Sequence, residues 1–184
     1  RTQILQSLGI AHEVDPADID ESVLPGERPQ PHVLRLAEAK ARSVAQRHPG
    51  AFVLAGDTVV VIDDEILGKP RDEAEAVAML ERLSGRTHHV VSGLALAEAS
   101  AAVHSRADVA AVTFRPFDRA EARAYVATGE PMDKAGAYAI QGLGAALVER
   151  FEGEYHTVVG LALQALLDLL ERAGHPWRFG GIGN

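Results

Sequence analysis

Cysteine is absent from the 184 residues, which excludes disulfides, thiolate nucleophiles and cysteine-held zinc and is compatible with the cytoplasm, the location expected for this chain. Positive charge is scarce: 18 lysines and arginines face 26 aspartates and glutamates, for a net charge of -8. That balance argues against non-specific binding of nucleic-acid polymers. A small polyanion could still bind, through local basic residues or a bridging metal. No apolar stretch is long enough to span a bilayer, and no signal-peptide pattern opens the chain. Neither a Walker loop nor a Gly-x-Ser-x-Gly elbow occurs. Gly142-Leu143-Gly144 lacks the third glycine and the preceding strand of a dinucleotide fingerprint. What remains is an ordinary soluble composition, 47% hydrophobic and 24% charged, long enough for one domain with a real core and room for two lobes.

The chain is organised around Ala55 to Pro70. Apolar runs Phe52–Ala55 and Val59–Ile62 predict a strand buried on both faces in the middle of a sheet. Gly56-Asp57-Thr58 interrupts it. A carboxylate there is costly without a cation or metal partner, and Gly56 lets a backbone or ligand approach. Asp63-Asp64 reads as a tight turn, and Gly68-Lys69-Pro70 brings a lysine to the end of the returning segment. The alternative is a solvated turn aspartate at a strand edge. The working expectation is that Asp57 and Lys69 face one active site.

Arg1 to Gly9 predicts a short helix with Ile4, Leu5 and Leu8 on one face, and Ile10 to Val14 a strand. The first residue is Arg1 rather than Met, and a preceding strand is expected to be missing. Asp15 to Pro31, with Asp18, Asp20 and Glu21, reads as a loop, for which solvated acids are the simpler account. Val33 to Gln46 carries the helical pattern Val33, Leu36, Ala37, Ala41, Val44, Ala45. Lys40 falls on that stripe, where it either snorkels to water or points into a cleft that needs positive charge; periodicity does not decide.

Asp72 with Glu75, and Asp118 with Glu121, form capping boxes that open helices ending near Ser84-Gly85 and at Thr128-Gly129. Between them, His88 to Ala97 and Val103 to Phe114 predict two hairpin strands around a small-residue turn. His88 and His89 point to opposite faces of their strand and, with His104, read as structural or surface residues. Glu130 to Gly142 holds too many glycines and polar groups for a plain core strand. Phe151 to Val159 predicts a strand or turn-strand, Leu161 to Ala173 an apolar helix, and His175 to Asn184 a frayed, flexible tail. Strands alternating with helices plus one hairpin predict an α/β domain with a mixed, twisted sheet and flanking helices.

Carboxylates (Asp57, with Glu21 possible) and the three lysines Lys40, Lys69 and Lys134 suit phosphoryl chemistry. Metal and lysines offset phosphate charge while a carboxylate orients or deprotonates water. Oxygen ligands favour magnesium or manganese.

Gly56-Asp57-Thr58-Val59-Val60, Gly68-Lys69-Pro70, Leu83-Ser84-Gly85-x-x-His88, Asp133-Lys134-Ala135-Gly136-Ala137-Tyr138-x-x-Gln141-Gly142 and Val158-Val159-Gly160-Leu161 together resemble, in order, the Maf family of nucleoside triphosphate pyrophosphatases. The resemblance covers nearly the whole chain. It implies a single domain over residues 1–174, related to inosine triphosphate pyrophosphatases and with two lobes around a cleft. The reaction it implies splits a nucleoside triphosphate into monophosphate and pyrophosphate with a divalent metal, and the assembly it suggests is a homodimer. In the same terms, Asp57 corresponds to the proton acceptor that activates water, and it shares the metal with Glu21. Lys40 and Lys69 match phosphate-facing lysines, and Arg1 the second arginine of an amino-terminal Ser-x-Ser-Pro-Arg-Arg motif whose earlier part is expected to be missing. Thr58 and Gln141 match positions tied to base choice and resemble the dTTP/UTP branch rather than the 7-methyl-GTP branch. Asp133 and Lys134 take a structural or supporting role.

Two other readings compete. Asp57-Thr58-Val59-Val60 faintly echoes the haloacid-dehalogenase nucleophile motif, but Val59 stands where that motif needs a second aspartate. A nucleotide-binding regulator of septum formation without turnover is the other.

Overall fold

The structure, a computed structural model, describes residues 1–98, 103–179 and 181–182. In chain order the elements are α1 (Thr2–Ser7), α2 (Pro29–Ala45), β1 (Val53–Ile62), β2 (Glu65–Leu67), α3 (Glu73–Leu83), β3 (Thr87–Ala97), β4 (His104–Phe114), α4 (Arg119–Val126), β5 (Val148–Glu152), α5 (Tyr155–Val159), α6 (Leu163–Arg172), β6 (Trp177–Arg178) and β7 (Gly181–Ile182). Short 3-10 turns fill Glu130–Asp133, Ala135–Ala137 and Leu143–Leu147. Five strands form one sheet in the order β2-β1-β3-β4-β5, so the expected α/β architecture of a sheet with helices is present. The small-residue turn expected between β3 and β4 lies largely outside the described residues. No helix among the described residues is long and apolar enough to cross a membrane.

The chain divides into two compact units, with boundaries inside β1 (Asp57/Thr58), at Val91/Ser92, at Asp108/Val109 and at Val159/Gly160. In the first unit, α2 begins four residues earlier than the apolar pattern suggested. Pro29 occupies its first turn, where a missing N–H is no loss. The alanine stripe Ala37, Ala41 and Ala45 packs on Ala95 and Ala97 of β3, so small side chains on both elements bring the helix close to the strand. The approach is closest at Gly93, where a Cβ would lie 2.7 Å from the carbonyl oxygen of Val33 and 2.9 Å from its Cγ2.

In the second unit, Asp63 and Asp64 take positive φ values of 54° and 61°, the two-residue turn that suits the twist of an antiparallel pair. It sets Val60 opposite Leu67 and Ile62 opposite Glu65. Both N-caps form: Asp72 accepts from the Glu75 N–H at 2.8 Å and Asp118 from the Glu121 N–H at 2.9 Å. The Glu75 carboxylate reaches past Asp72 to the Arg71 N–H, at 2.6 Å. Val60, Leu80, Leu83, Val90, Val112 and Phe114 form the centre of this unit's core. His88 belongs to it: it is fully buried, edge-on to Phe114 and Tyr138, and shares a 2.9 Å hydrogen bond with the Tyr138 hydroxyl. Burial lowers its pKa to about 4, so the imidazole is neutral at neutral pH.

One expected strand is absent and another is cut short. Ile10 to Val14 carries no regular structure and has no place in the sheet order; Val14 is 75% exposed, and a lone segment has no ladder to satisfy its backbone. Phe151 to Val159 splits at Gly153 into the end of β5 and the helical turn α5. Thr157, Val158 and Val159 favour strands by type, but that preference yields to context. The tail is more ordered than its glycines suggested. β6 pairs antiparallel with β7, and the Trp177 indole N–H donates to the Leu8 carbonyl at 2.9 Å; Gly180, Gly183 and Asn184 lie outside the described residues.

Gly93→Ala is expected to cost about 1–3 kcal/mol by overpacking, lowering the melting temperature by several degrees. Gly68→Ala, where a Cβ meets nothing within 4 Å, serves as the control and is expected to change it little. Calorimetry of both variants checks the contrast.

Candidate active site

The first unit assembles four of the expected site residues. Asp57 lies near the middle of β1, almost buried. On α2, Lys40 follows Leu36 by four residues and precedes Val44 by four, and both of those neighbours are in the core. The stripe alone does not decide where the lysine points; its contacts do, and they turn it inward. Its ammonium donates to Asp57 Oδ1 at 2.8 Å and lies 2.7 Å from Glu21 Oε1. Side-chain exposure is 16% for Lys40, 12% for Asp57 and 53% for Glu21. The Lys40–Asp57 contact is therefore mostly shielded from water, and Glu21 forms its open side.

Arg1 completes the group. Its Nε donates to the Gly160 carbonyl at 2.7 Å, and its guanidinium carbon lies 3.4 Å from where a Gly56 Cβ would stand. Burial of that guanidinium lowers its pKa from the ordinary arginine value, with Asp57 and Glu21 pulling the other way. It remains a cation in any case.

Glu21 is not on a freely solvated loop. Arg35 of α2 donates to both Glu27 oxygens, at 2.6 and 2.7 Å, and to the Ser22 carbonyl at 3.0 Å. Glu27 also accepts from the Leu24 N–H and bonds His32. The Arg35 contact, with His32 and Leu24 behind it, holds the Glu27 carboxyl far below the usual carboxylate range. These bonds pin the backbone next to Glu21. Sequence reading missed Glu27 and Arg35, because their link spans eight residues across a loop–helix junction and follows no period.

The second unit holds the others. Lys69 follows β2 and is exposed. Its loop is tied to the 133–142 segment by the Gly136 N–H, which donates to the Gly68 carbonyl at 3.0 Å. Gly136 has φ 67°, and a Cβ on it would meet Val60 Cγ2 at 2.7 Å; only glycine meets both demands. Lys134 donates to Asp133 and holds its carboxyl below the usual range, with Lys69 adding to the effect. Thr58 is half-buried on β1, and Gln141 lies exposed between the 3-10 turns at 135–137 and 143–147.

Lys40, Glu21 and Asp57 form an ammonium held between two carboxylates, one of them almost buried in a strand. Such a set can accept a proton from water at Asp57 and offer positive charge to a polyanion. A family model of Maf-like proteins matches residues 1–173. The chain belongs to the Maf family. It is 52% identical over 183 residues to the dTTP/UTP pyrophosphatase of Myxococcus xanthus (strain DK1622), covering 97% of this chain and 91% of that protein. It is 46% identical to the dTTP/UTP pyrophosphatase of Symbiobacterium thermophilum, over 100% of this chain and 94% of that one. The same name belongs to a protein of Anaeromyxobacter sp. (strain Fw109-5) that is 52% identical over 180 residues, 96% of this chain and 86% of that one.

Of the positions that the Maf resemblance singled out, Arg1, Glu21, Lys40 and Asp57 lie together in the first unit, while Thr58, Lys69 and Gln141 belong to the second. Among the described residues no three His, Cys, Asp or Glu side chains gather as a metal cage. By donor type the Glu21 and Asp57 carboxylates are the hard oxygens that a magnesium-like ion takes. The cation that those two oxygens hold within the chain is the Lys40 ammonium.

Removing that ammonium leaves Asp57 shielded from water without its lysine. Lys40→Met is expected to cost about 1–3 kcal/mol of stability. Adding Asp57→Asn to it should recover part of the loss, giving a measurable coupling in a double-mutant cycle of denaturant melts. Lys40→Met as stable as the wild type would contradict the pairing.

Proposed function

We infer that this protein is a nucleoside triphosphate pyrophosphatase acting on dTTP and UTP, yielding the monophosphate and pyrophosphate. The observation that carries the reading is the almost buried Asp57 held by Lys40 beside Glu21, in a chain about half identical to proteins bearing that activity in their names.

In the proposed reaction Asp57 accepts a proton from water as its oxygen bonds to the α-phosphorus. The bond from that phosphorus to the bridging oxygen breaks, and pyrophosphate leaves with the electron pair. Lys40 pairs with Asp57 and aims it, and with Arg1 it offsets phosphate charge; Lys69 is a further phosphate-facing lysine on the family resemblance. Glu21 and Asp57 would hold a divalent cation, magnesium or manganese, which when bound supplies Lewis-acid charge to the phosphates. Thr58 and Gln141 choose the base, and modified pyrimidine nucleotides are further candidate substrates. The proposed setting is the cytoplasm, where nucleoside triphosphates are made and consumed. The proposed assembly is a homodimer, on the family resemblance alone.

Product analysis with dTTP, UTP, CTP, GTP and 7-methyl-GTP in magnesium or manganese tests this. Monophosphate plus pyrophosphate is expected from dTTP and UTP, with turnover falling roughly 10²–10⁴-fold in Asp57→Asn. Orthophosphate as the product would point to a phosphatase instead. Tight nucleotide binding without product would favour the regulator of septum formation.

A further inference from the structure

Gln141 has an unusual support. The residues on either side of it are anchored to one carboxylate and one phenol from elsewhere in the second unit. Glu130, at the start of the Glu130–Asp133 turn, accepts from the Gly144 N–H at 2.9 Å through Oε1 and from the Leu143 N–H at 2.9 Å through Oε2. The Tyr125 hydroxyl of α4 donates to Glu130 Oε1 at 2.7 Å and accepts from the Ala139 N–H at 3.1 Å. Ala139 precedes Gln141 by two residues, and Leu143 follows it by two. The fit leaves no room for side chains at the flanking glycines. A Cβ on Gly142 would stand 2.1 Å from Glu130 Oε2, and one on Gly144 would stand 2.5 Å from the Tyr125 hydroxyl.

Three donors converge on Glu130, an arrangement that favours the ionised, acceptor-only carboxylate. Burial alone would push its pKa up, but the Gly144 N–H, the Tyr125 hydroxyl and the Leu143 N–H outweigh burial and hold it below the usual range. Burial, followed by the Glu130 bond, pushes the Tyr125 phenol up; the phenol therefore stays protonated as a donor. Charge-assisted bonds of this kind are stronger than neutral ones and fix geometry. Tyr125 and Leu147 lie in the core while Leu143 at the anchored turn is 62% exposed, so the network ties an exposed turn to that core. The network acts on the backbone that carries Gln141.

We propose that Glu130, backed by Tyr125, is a positioning residue for base selection, holding the 139–144 backbone so that Gln141 meets the nucleobase in one orientation. This rests on the reading of Gln141 as a base-choosing residue given above. Glu130 does not touch substrate; it acts through Gln141. Its own turn runs on into Asp133 and Lys134, so one carboxylate sets the base-reading backbone relative to that charged pair within the unit.

The test compares wild type, Glu130→Gln, Tyr125→Phe, Gln141→Ala and the Glu130→Gln/Gln141→Ala double variant. Steady-state kinetics with dTTP and GTP are read beside the melting temperature. Glu130→Gln is nearly isosteric but sets an amide N–H against a backbone N–H. It is expected to raise KM for dTTP and lower the dTTP-over-GTP preference, each roughly tenfold, with kcat changed less. Gln141→Ala should lower the same preference, and the double variant should be no worse than Gln141→Ala alone. Tyr125→Phe should move preference in the same direction, and it carries the test if Glu130→Gln does not fold. A lower melting temperature and lower kcat with KM and preference unchanged would show a merely structural role and overturn the proposal. Preference that falls in Glu130→Gln but not in Gln141→Ala would overturn it together with the assignment of Gln141, leaving the pyrophosphatase reading intact. Wild type that makes no pyrophosphate from dTTP would instead remove the reading beneath it.

Discussion

An ammonium between two carboxylates is stable only if the chain brings three separately anchored side chains within hydrogen-bond reach. Lys40 supplies the positive charge that partners Asp57 in an almost buried strand, and Glu21 closes the group from the loop side. A carboxylate in that position without a cation would be expensive. The first unit meets the requirement by bringing α2 close to the sheet strands. Alanines on the helix face alanines on β3, Gly93 accepts the Val33 backbone at close range, and Arg35 with Glu27 fixes the loop beside Glu21. Each of these features looks like ordinary packing when taken alone. Together they set the distance between an ammonium and two carboxylates.

The second unit solves a different problem with backbone bonds. Its 130–147 segment has only short 3-10 turns to hold it, so it cannot rely on a helix or strand ladder for shape. Carboxylates and carbonyls take that part: Glu130 accepts from Leu143 and Gly144, and Gly68 accepts from Gly136. The glycines here are places where another group already fills the volume a side chain would need. An irregular segment secured this way can present exposed side chains such as Gln141 with defined orientation, which a solvated loop cannot do.

Much of this was legible in the residue pattern. β1 with its interrupting Asp57, both aspartate N-caps and the helix around Leu36 and Ala41 follow from periodicity and hydrogen-bonding chemistry, whereas His88 is left there as structural or surface and only its burial decides. Ile10–Val14 does not form the expected strand, and of Phe151–Val159 only the first two residues do, because residue type says nothing about whether a partner strand is available. Lys40 was undecidable from its stripe alone, since a lysine at that position can snorkel or turn inward, and only the place of Asp57 and Glu21 in space decides. Glu27–Arg35 and Tyr125–Glu130 escaped for a related reason. Their partners are set by tertiary approach, and neither pair follows a helical or strand period that also marks the groups they hold. Gly56 stands out by interrupting an apolar run, and Gly136 and Gly142 through motif resemblance, whereas Gly93 looks like any small residue in a strand.

The central claim is that Asp57, paired with Lys40, activates water for attack at the α-phosphorus. The most direct measurement is turnover of dTTP in water labelled with heavy oxygen, with the products read by phosphorus NMR and mass spectrometry. Attack at the α-phosphorus places the label in dTMP and leaves pyrophosphate unlabelled. Label in pyrophosphate or in orthophosphate would mean attack at another phosphorus and would contradict the role given to Asp57.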